Sequence, residues 1–454
     1  MKFLASLVLC FLCYNLSLAS ETYRVGIIGS TAYSESKRFL PAVLEASKHN
    51  VDIVVLPSKD LSSCLAAQCE SDNYDESVKT LSDLAKKAKL YIVAHLFEKT
   101  RCQNGYELTR NNLVFDREGS IVADYRKPVN NLANCTSVMD DVAFTTDFGV
   151  TFGVLMGDDL VLKPSAGMRN YVMSGASHAD VPPLNAHQFS ASWSYVNNAN
   201  LITGYSAFAG RTGRNTGPYV DLMKTSPNGP TTAPVSSLPS SSVPGEDLSH
   251  YVIRPVDMGR SLDGLTETVC QGKFCCDFYL KTKPETQKPK MHYGLAVFNG
   301  VRSFDKSHNI GSQNCAVFAC AGLYKRSCSI GHEINSTVTF EKILISSNFT
   351  STANYPIILS SDASKIIDKF SFDINPTGFT SLVIENGENL LNIAIFGRDF
   401  SKDSEKYYVD PKHMVNLNVY DYIFNEDVQE FFDYLWIRLR ILIVVVSIYV
   451  LEMM

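Results

Sequence analysis

The chain has 454 residues, enough for two or three domains that each bury their own core. Hydrophobic residues make up 45% and charged residues 19%, a balance that excludes global disorder. A formal net charge of -6, with no dense stripe of lysine and arginine, excludes nucleic acid as an expected partner.

Lys2, the apolar run Phe3 to Leu18 and the small residues Ser17 and Ala19 have the layout of a secretory signal over residues 1–19, so the mature chain is expected to start at Ser20. Ten cysteines remain after it: Cys64, Cys69, Cys102, Cys135, Cys270, Cys275, Cys276, Cys315, Cys320 and Cys328. An even set in an oxidising compartment predicts disulfides. The mature chain has no paired C-x-x-C motifs and no matching histidine pair, so neither a metal nor a cofactor is expected. Sequons at Asn134, Asn335 and Asn348 predict N-glycans on exposed loops.

In chain order, Arg24 to Ser30 reads as a buried strand, Glu35 to His49 as a helix with Leu40, Val43 and Leu44 at helical spacing, and Val51 to Pro57 as a second strand. The pattern repeats, with Leu81, Leu84 and Ala88 marking a helix over Val78 to Leu90 before the strand Tyr91 to Leu96. This alternation predicts an α/β layered domain. Asn112 to Asp116 and Ile121 to Tyr125, joined through Gly119, read as a hairpin; Phe148 to Met156 reads as a strand, Gln188 to Asn200 as a helix and Asn200 to Ala209 as strand again. Thr225 to Pro244 is rich in Pro, Ser, Thr and Gly, the composition of a connector, which sets the expected first domain at 20–250. Beyond it, β-branched and aromatic runs such as Val338 to Ile345 and Ser381 to Phe396, together with six of the ten cysteines, predict a β-rich, disulfide-braced domain over 251–433. In the tail, 434–454, the apolar run Ile441 to Leu451 would span about 17 Å as a helix, short of a hydrocarbon core of about 30 Å. It reads as a cleaved lipid-anchor signal with Asn425 to Asp427 as the attachment segment, plain secretion being the alternative.

Several strings carry a resemblance. Thr268-Val269-Cys270-Gln271-Gly272-Lys273-Phe274-Cys275-Cys276, then Tyr293 to Gly300, then Cys315, Cys320 and Cys328, and Ile395-Phe396-Gly397-Arg398 near the end resemble the base domain of vanins and biotinidase. The strand-helix-strand start, the lysine just after the hairpin and the glycine-containing strand resemble the nitrilase, or carbon-nitrogen hydrolase, superfamily to which those proteins belong. The resemblance implies a four-layer αββα sandwich followed by a β-rich second domain. It also implies a mechanism in which a glutamate base activates a cysteine thiolate and a lysine steadies the oxyanion, acting on pantetheine or biotin amides.

Mapped position by position, two of those three roles are empty. The glutamate belongs directly after Pro57, where this chain has Ser58, and the cysteine belongs after Met156, where it has Gly157. The lysine is retained as Lys127, and Asp159 preserves the aspartate that follows the cysteine in the family string. The segment expected to line the pocket is Ser174-Gly175-Ala176-Ser177-His178-Ala179. The expectation is a non-hydrolysing family member, secreted or attached to the outer face of the cell, that binds an unidentified extracellular ligand or protein. The alternative is an amidohydrolase with a relocated site built from Asp158, Asp159 and Lys127.

Overall fold

The computed structural model describes residues 21–406 except 30–35, 58–73, 103–104, 130–140, 176–185, 216, 226, 238–247, 285–291, 305–307, 321–327, 329–337 and 362–368. The expected signal at 1–19, the tail at 434–454, Ser58, Cys64, Cys69, Cys135, Asn134 and Asn335 lie outside the described residues. The chain divides into two compact units, one of residues 1–234 with 304–308, the other of 235–303 with 309–454.

In the first unit, β1 (Thr22–Ile27), β2 (Ile53–Val55) and β3 (Tyr91–Cys102) run parallel, as strands joined by helical crossovers do. β4 (Gly105–Phe115) and β5 (Ile121–Pro128) extend that sheet antiparallel, and β12 (Tyr219–Met223) closes its other edge against β1. A second six-stranded sheet holds β6 (Val142–Thr145), β7 (Thr151–Met156), β8 (Asn170–Ser174), β9 (Asn200–Thr203), β10 (Ala207–Ala209) and β11 (Arg214–Asn215) in sequential order. Between the sheets lies an apolar layer in which Val25, Val55, Val93 and Val114 from one face meet Phe152, Val154, Val172 and Ile202 from the other.

Helices cover the outsides. Val43, Ala46, Leu81, Leu84 and Ala88 of α1 (Ser36–Ser47) and α2 (Tyr74–Ala88) pack on Val54, Ile92, Leu113 and Phe115 of the first sheet. The 3.6-residue spacing of apolar positions in α2 is what presents one buried stripe to that sheet. On the second sheet sit the single turn α3 (Asp159–Leu162) and α4 (Ala186–Asn197), whose Trp193 meets Tyr171 of β8 edge to face at 5.0 Å. Helix, sheet, sheet, helix is the four-layer order of the carbon-nitrogen hydrolase fold.

The second unit is almost all strand. One sheet has β13 (Val235–Ser237), β20 (Asn354–Ser360), β23 (Leu390–Arg398), β18 (Asn309–Cys320), β17 (His292–Ser303) and β14 (Val252–Pro255) in that order. The other has β15 (Leu265–Gln271), β16 (Phe274–Thr282), β19 (Thr339–Asn348), β22 (Phe379–Glu388) and β21 (Lys369–Ile374). Three disulfides brace this unit: Cys270–Cys275, Cys276–Cys315 and Cys320–Cys328. In the first unit Cys102, at the end of β3, is disulfide-bonded as well. Asn348 is exposed at the end of β19, as a glycan acceptor requires.

Candidate active site

Strand register places the site. On β4, Arg110 stands opposite Lys127 of β5, and Asn112 stands opposite both His95 of β3 and Tyr125 of β5. Because successive residues of a strand alternate faces, His95, Asn112 and Tyr125 form one row across the sheet, and Arg110 and Lys127 the next row on the same face. Two cations directly opposite each other repel, so that second row is stable only if anions reach it.

They arrive from the turn after β7. Asp158 Oδ2 accepts a hydrogen bond from Arg110 Nη2 at 3.0 Å, and its Oδ1 lies 3.8 Å from Lys127 Nζ. The Lys127 ammonium donates to Asp159 Oδ1 in a short contact, and the same oxygen accepts from Tyr125 Oη at 3.2 Å. Asp159 Oδ2 receives the backbone N–H of Met156 at 2.8 Å, which ties α3 to the strand end. The two aspartate side chains are 2% and 0% exposed and Lys127 is 12% exposed, so this is a closed cluster of two cations and two carboxylates. Burial pushes the Asp158 carboxyl up, but Lys127 and Arg110 together outweigh it and hold the group well below the usual carboxylate range. Tyr125, buried against Asp159, is pushed far above the ordinary phenol value and stays protonated as a donor.

The first row clasps the two sheets together. Asn112 Nδ2 donates to the carbonyls of Leu155 at 2.7 Å and Ser174 at 3.0 Å, so its Oδ1 must be the acceptor for His95 Nδ1 at 2.7 Å. This assigns the ring proton to Nδ1. Burial pushes His95 down to about 4, so the ring is neutral. Gly175, with φ of +93°, leaves room for that ring, since a Cβ there would stand 3.2 Å from it. Ser174 Oγ donates to Leu56 O at 3.2 Å and thereby joins the end of β8 to the end of β2.

Of the residues picked out in the sequence, Lys127, Asp158, Asp159 and Gly157 converge here. Lys127 lies within β5 rather than after it, and Gly157 occupies the turn between β7 and α3. Sequence reasoning missed Arg110, Asn112, His95 and Tyr125. Their signal was the alternation Arg110-x-Asn112 facing Tyr125-x-Lys127, which becomes legible only once the hairpin register is known. A cavity lined by Asp141, Leu155, Asp159, Lys163, Tyr171 and Trp193 shares Asp159 with this cluster, and neither Lys127 nor Gly157 is among its walls. Among the described residues, no group of three His, Cys, Asp or Glu side chains is placed to hold a metal ion, and no helix is long and apolar enough to cross a membrane.

Two family models match the sequence. The carbon-nitrogen hydrolase family model matches residues 32–133 and the vanin C-terminal domain model matches 247–403, between them more than half of the chain. Vanin-like protein 1 of Drosophila melanogaster is 26% identical over 403 residues, covering 71% of this chain and 72% of that protein. Human pantetheine hydrolase VNN2 is 25% identical over 393 residues, covering 71% of this chain and 70% of that protein. Among solved structures, an amidase from Nesterenkonia sp. aligns over 45% of this chain and 91% of its own, with 15% identity and a TM-score of 0.33.

Proposed function

Because the chain belongs to the vanin branch of the carbon-nitrogen hydrolase superfamily, we propose that it is an extracellular vanin-like protein that retains the family fold but does not hydrolyse amides, and that it acts by binding. The observation that supports this reading is the fate of Lys127. An oxyanion-stabilising cation must be free to meet negative charge that develops on the substrate. Here the ammonium is engaged by Asp159, with Asp158 close by, and the residue at the nucleophile position, Gly157, has no side-chain atom to attack with.

Loss of a nucleophile alone typically removes about 10⁴ to 10⁶ in rate, so the test is direct. Purified protein incubated with pantetheine-like and biotin-like amides is expected to release no amine above a buffer blank. Turnover that disappears on Lys127→Ala would overturn the reading and restore a working hydrolase. The relocated-site alternative needs Asp158 as nucleophile, yet that carboxylate is buried and held by Arg110. It predicts turnover that Asp158→Asn abolishes. The disulfides of the second unit and the vanin relatives support a secreted or outer-surface location.

A further inference from the structure

We infer that Cys270–Cys275 is a thiol-exchange site, a surface disulfide that an external dithiol opens and closes while the other two bridges of the second unit stay intact. Adjacent cysteines on β16 point to opposite faces of the strand.

Cys276 faces inward and is fully buried, and its partner Cys315 on β18 of the other sheet is buried too, so that bridge staples one sheet to the other inside the core. Cys320 and Cys328 are likewise buried. Cys275 faces outward and is only partly covered, and Cys270, directly opposite it on β15, is exposed. A thiolate must reach a sulfur to displace its neighbour, so access separates the outer bridge from the inner ones. Opposite faces of one strand also keep Cys275 and Cys276 from exchanging with each other.

Opening the outer bridge leaves its hairpin standing. β15 and β16 stay paired from Leu265 with Leu280 to Gln271 with Phe274. Gln271 is tethered at both ends of its amide, to His250 O at 2.9 Å and from Asn299 N at 2.7 Å, and Phe274 packs on Phe349 with ring centroids 5.3 Å apart. The bridge closes a sequence separation of only 5, against 39 for Cys276–Cys315, so it constrains the unfolded chain less.

The chemistry selects a dithiol. One thiolate of the reductant attacks Cys270 Sγ; the Cys270–Cys275 bond breaks and Cys275 leaves as a thiolate that takes up a proton. With Cα atoms held 4.0 Å apart, Cys275 would re-attack the mixed disulfide faster than a second monothiol could arrive. The second sulfur of a dithiol competes by attacking its own partner in the mixed disulfide, which releases Cys270 as a protonated thiol and leaves the reductant as a cyclic disulfide. Two electrons and two protons pass to the protein, and re-oxidation reverses the step.

The experiment is graded dithiothreitol treatment of the full purified protein at neutral pH, rapid alkylation, and peptide mass spectrometry at each cysteine. Cys270 and Cys275 are expected to label at a reductant concentration at least about tenfold below that needed for Cys276, Cys315, Cys320 and Cys328, with the near-UV circular dichroism unchanged. The Cys270→Ser/Cys275→Ser variant should fold and lose only this first labelling step. Simultaneous labelling of all six, labelling that coincides with unfolding, or a double variant that does not fold would each make the bridge structural and overturn the proposal.

Discussion

Lys127 carries its charge among partners that leave it little freedom. Asp159 takes its proton-rich end, Tyr125 and the Met156 N–H share the same carboxylate, and Arg110 competes with Lys127 for Asp158. In such a buried cluster, removing one member is worse than removing a pair, because the survivor remains a desolvated, uncompensated charge. Asp159→Ala is therefore expected to cost about 3 to 5 kcal/mol in equilibrium urea denaturation. Adding Lys127→Met to it should cost less than the sum of the two single changes, since the second substitution removes the orphan that the first created. Additive losses would mean that the two groups are not coupled and that Lys127 is available for other work.

At the scale of elements, the parts visible in the sequence were those whose periodicity is set by one buried face. The apolar spacing of Leu81, Leu84 and Ala88 matches α2, which starts at Tyr74, and the strands around Ile53 and Tyr91 are where their apolar runs placed them. Leu84 sits in that stripe at 3% exposure, so Leu84→Ala should lower the stability of the first unit by about 2 to 5 kcal/mol, measured by the same denaturation, whereas a change under 1 would mean that the helix packs loosely on its sheet. Boundaries were less legible where strands are long or buried on both faces. β3 and β4 form a hairpin of their own that continues beyond their apolar runs as polar, partly exposed strands out to Cys102 and Gly105, and the stretch Ser381 to Phe396 is two strands that turn at Asn389, whose φ is +57°. β8 is buried at every position and carries no alternation, and β6, although it alternates, spans only four residues, so neither is marked in the sequence. The site was legible only through Lys127, Gly157 and Asp159, whose types and positions match a family string. Arg110, Asn112 and His95 acquire their roles from cross-strand register, a long-range property that local sequence does not encode.

The two sheets of the first unit are joined by more than apolar packing, and the polar part of that join makes its stability depend on pH. His95 donates from Nδ1 to Asn112, which in turn holds the carbonyls of Leu155 and Ser174 across the interface, and the charged groups facing the ring are Arg110 and Asp158. Burial favours the neutral ring and lowers the pKa from 6.5 to about 4. Between those two values the unfolded chain binds a proton at this residue that the folded chain does not, so stability is complete above pH 6.5 and falls as the pH drops toward 4. A shift of that size corresponds to roughly 3 kcal/mol. The depressed Asp158 carboxyl acts in a lower window: its contribution is present above the ordinary carboxylate value and declines only as more acid protonates it in the folded state. The windows can therefore be separated. Denaturation of the wild type between pH 7 and pH 4 should show a steady loss of that magnitude, and His95→Asn, which cannot titrate, should be less stable at pH 7 but flatter across the same range. Identical slopes in the two proteins would mean that the ring protonates without disturbing the join, and that acid sensitivity in the first unit arises from its carboxylates.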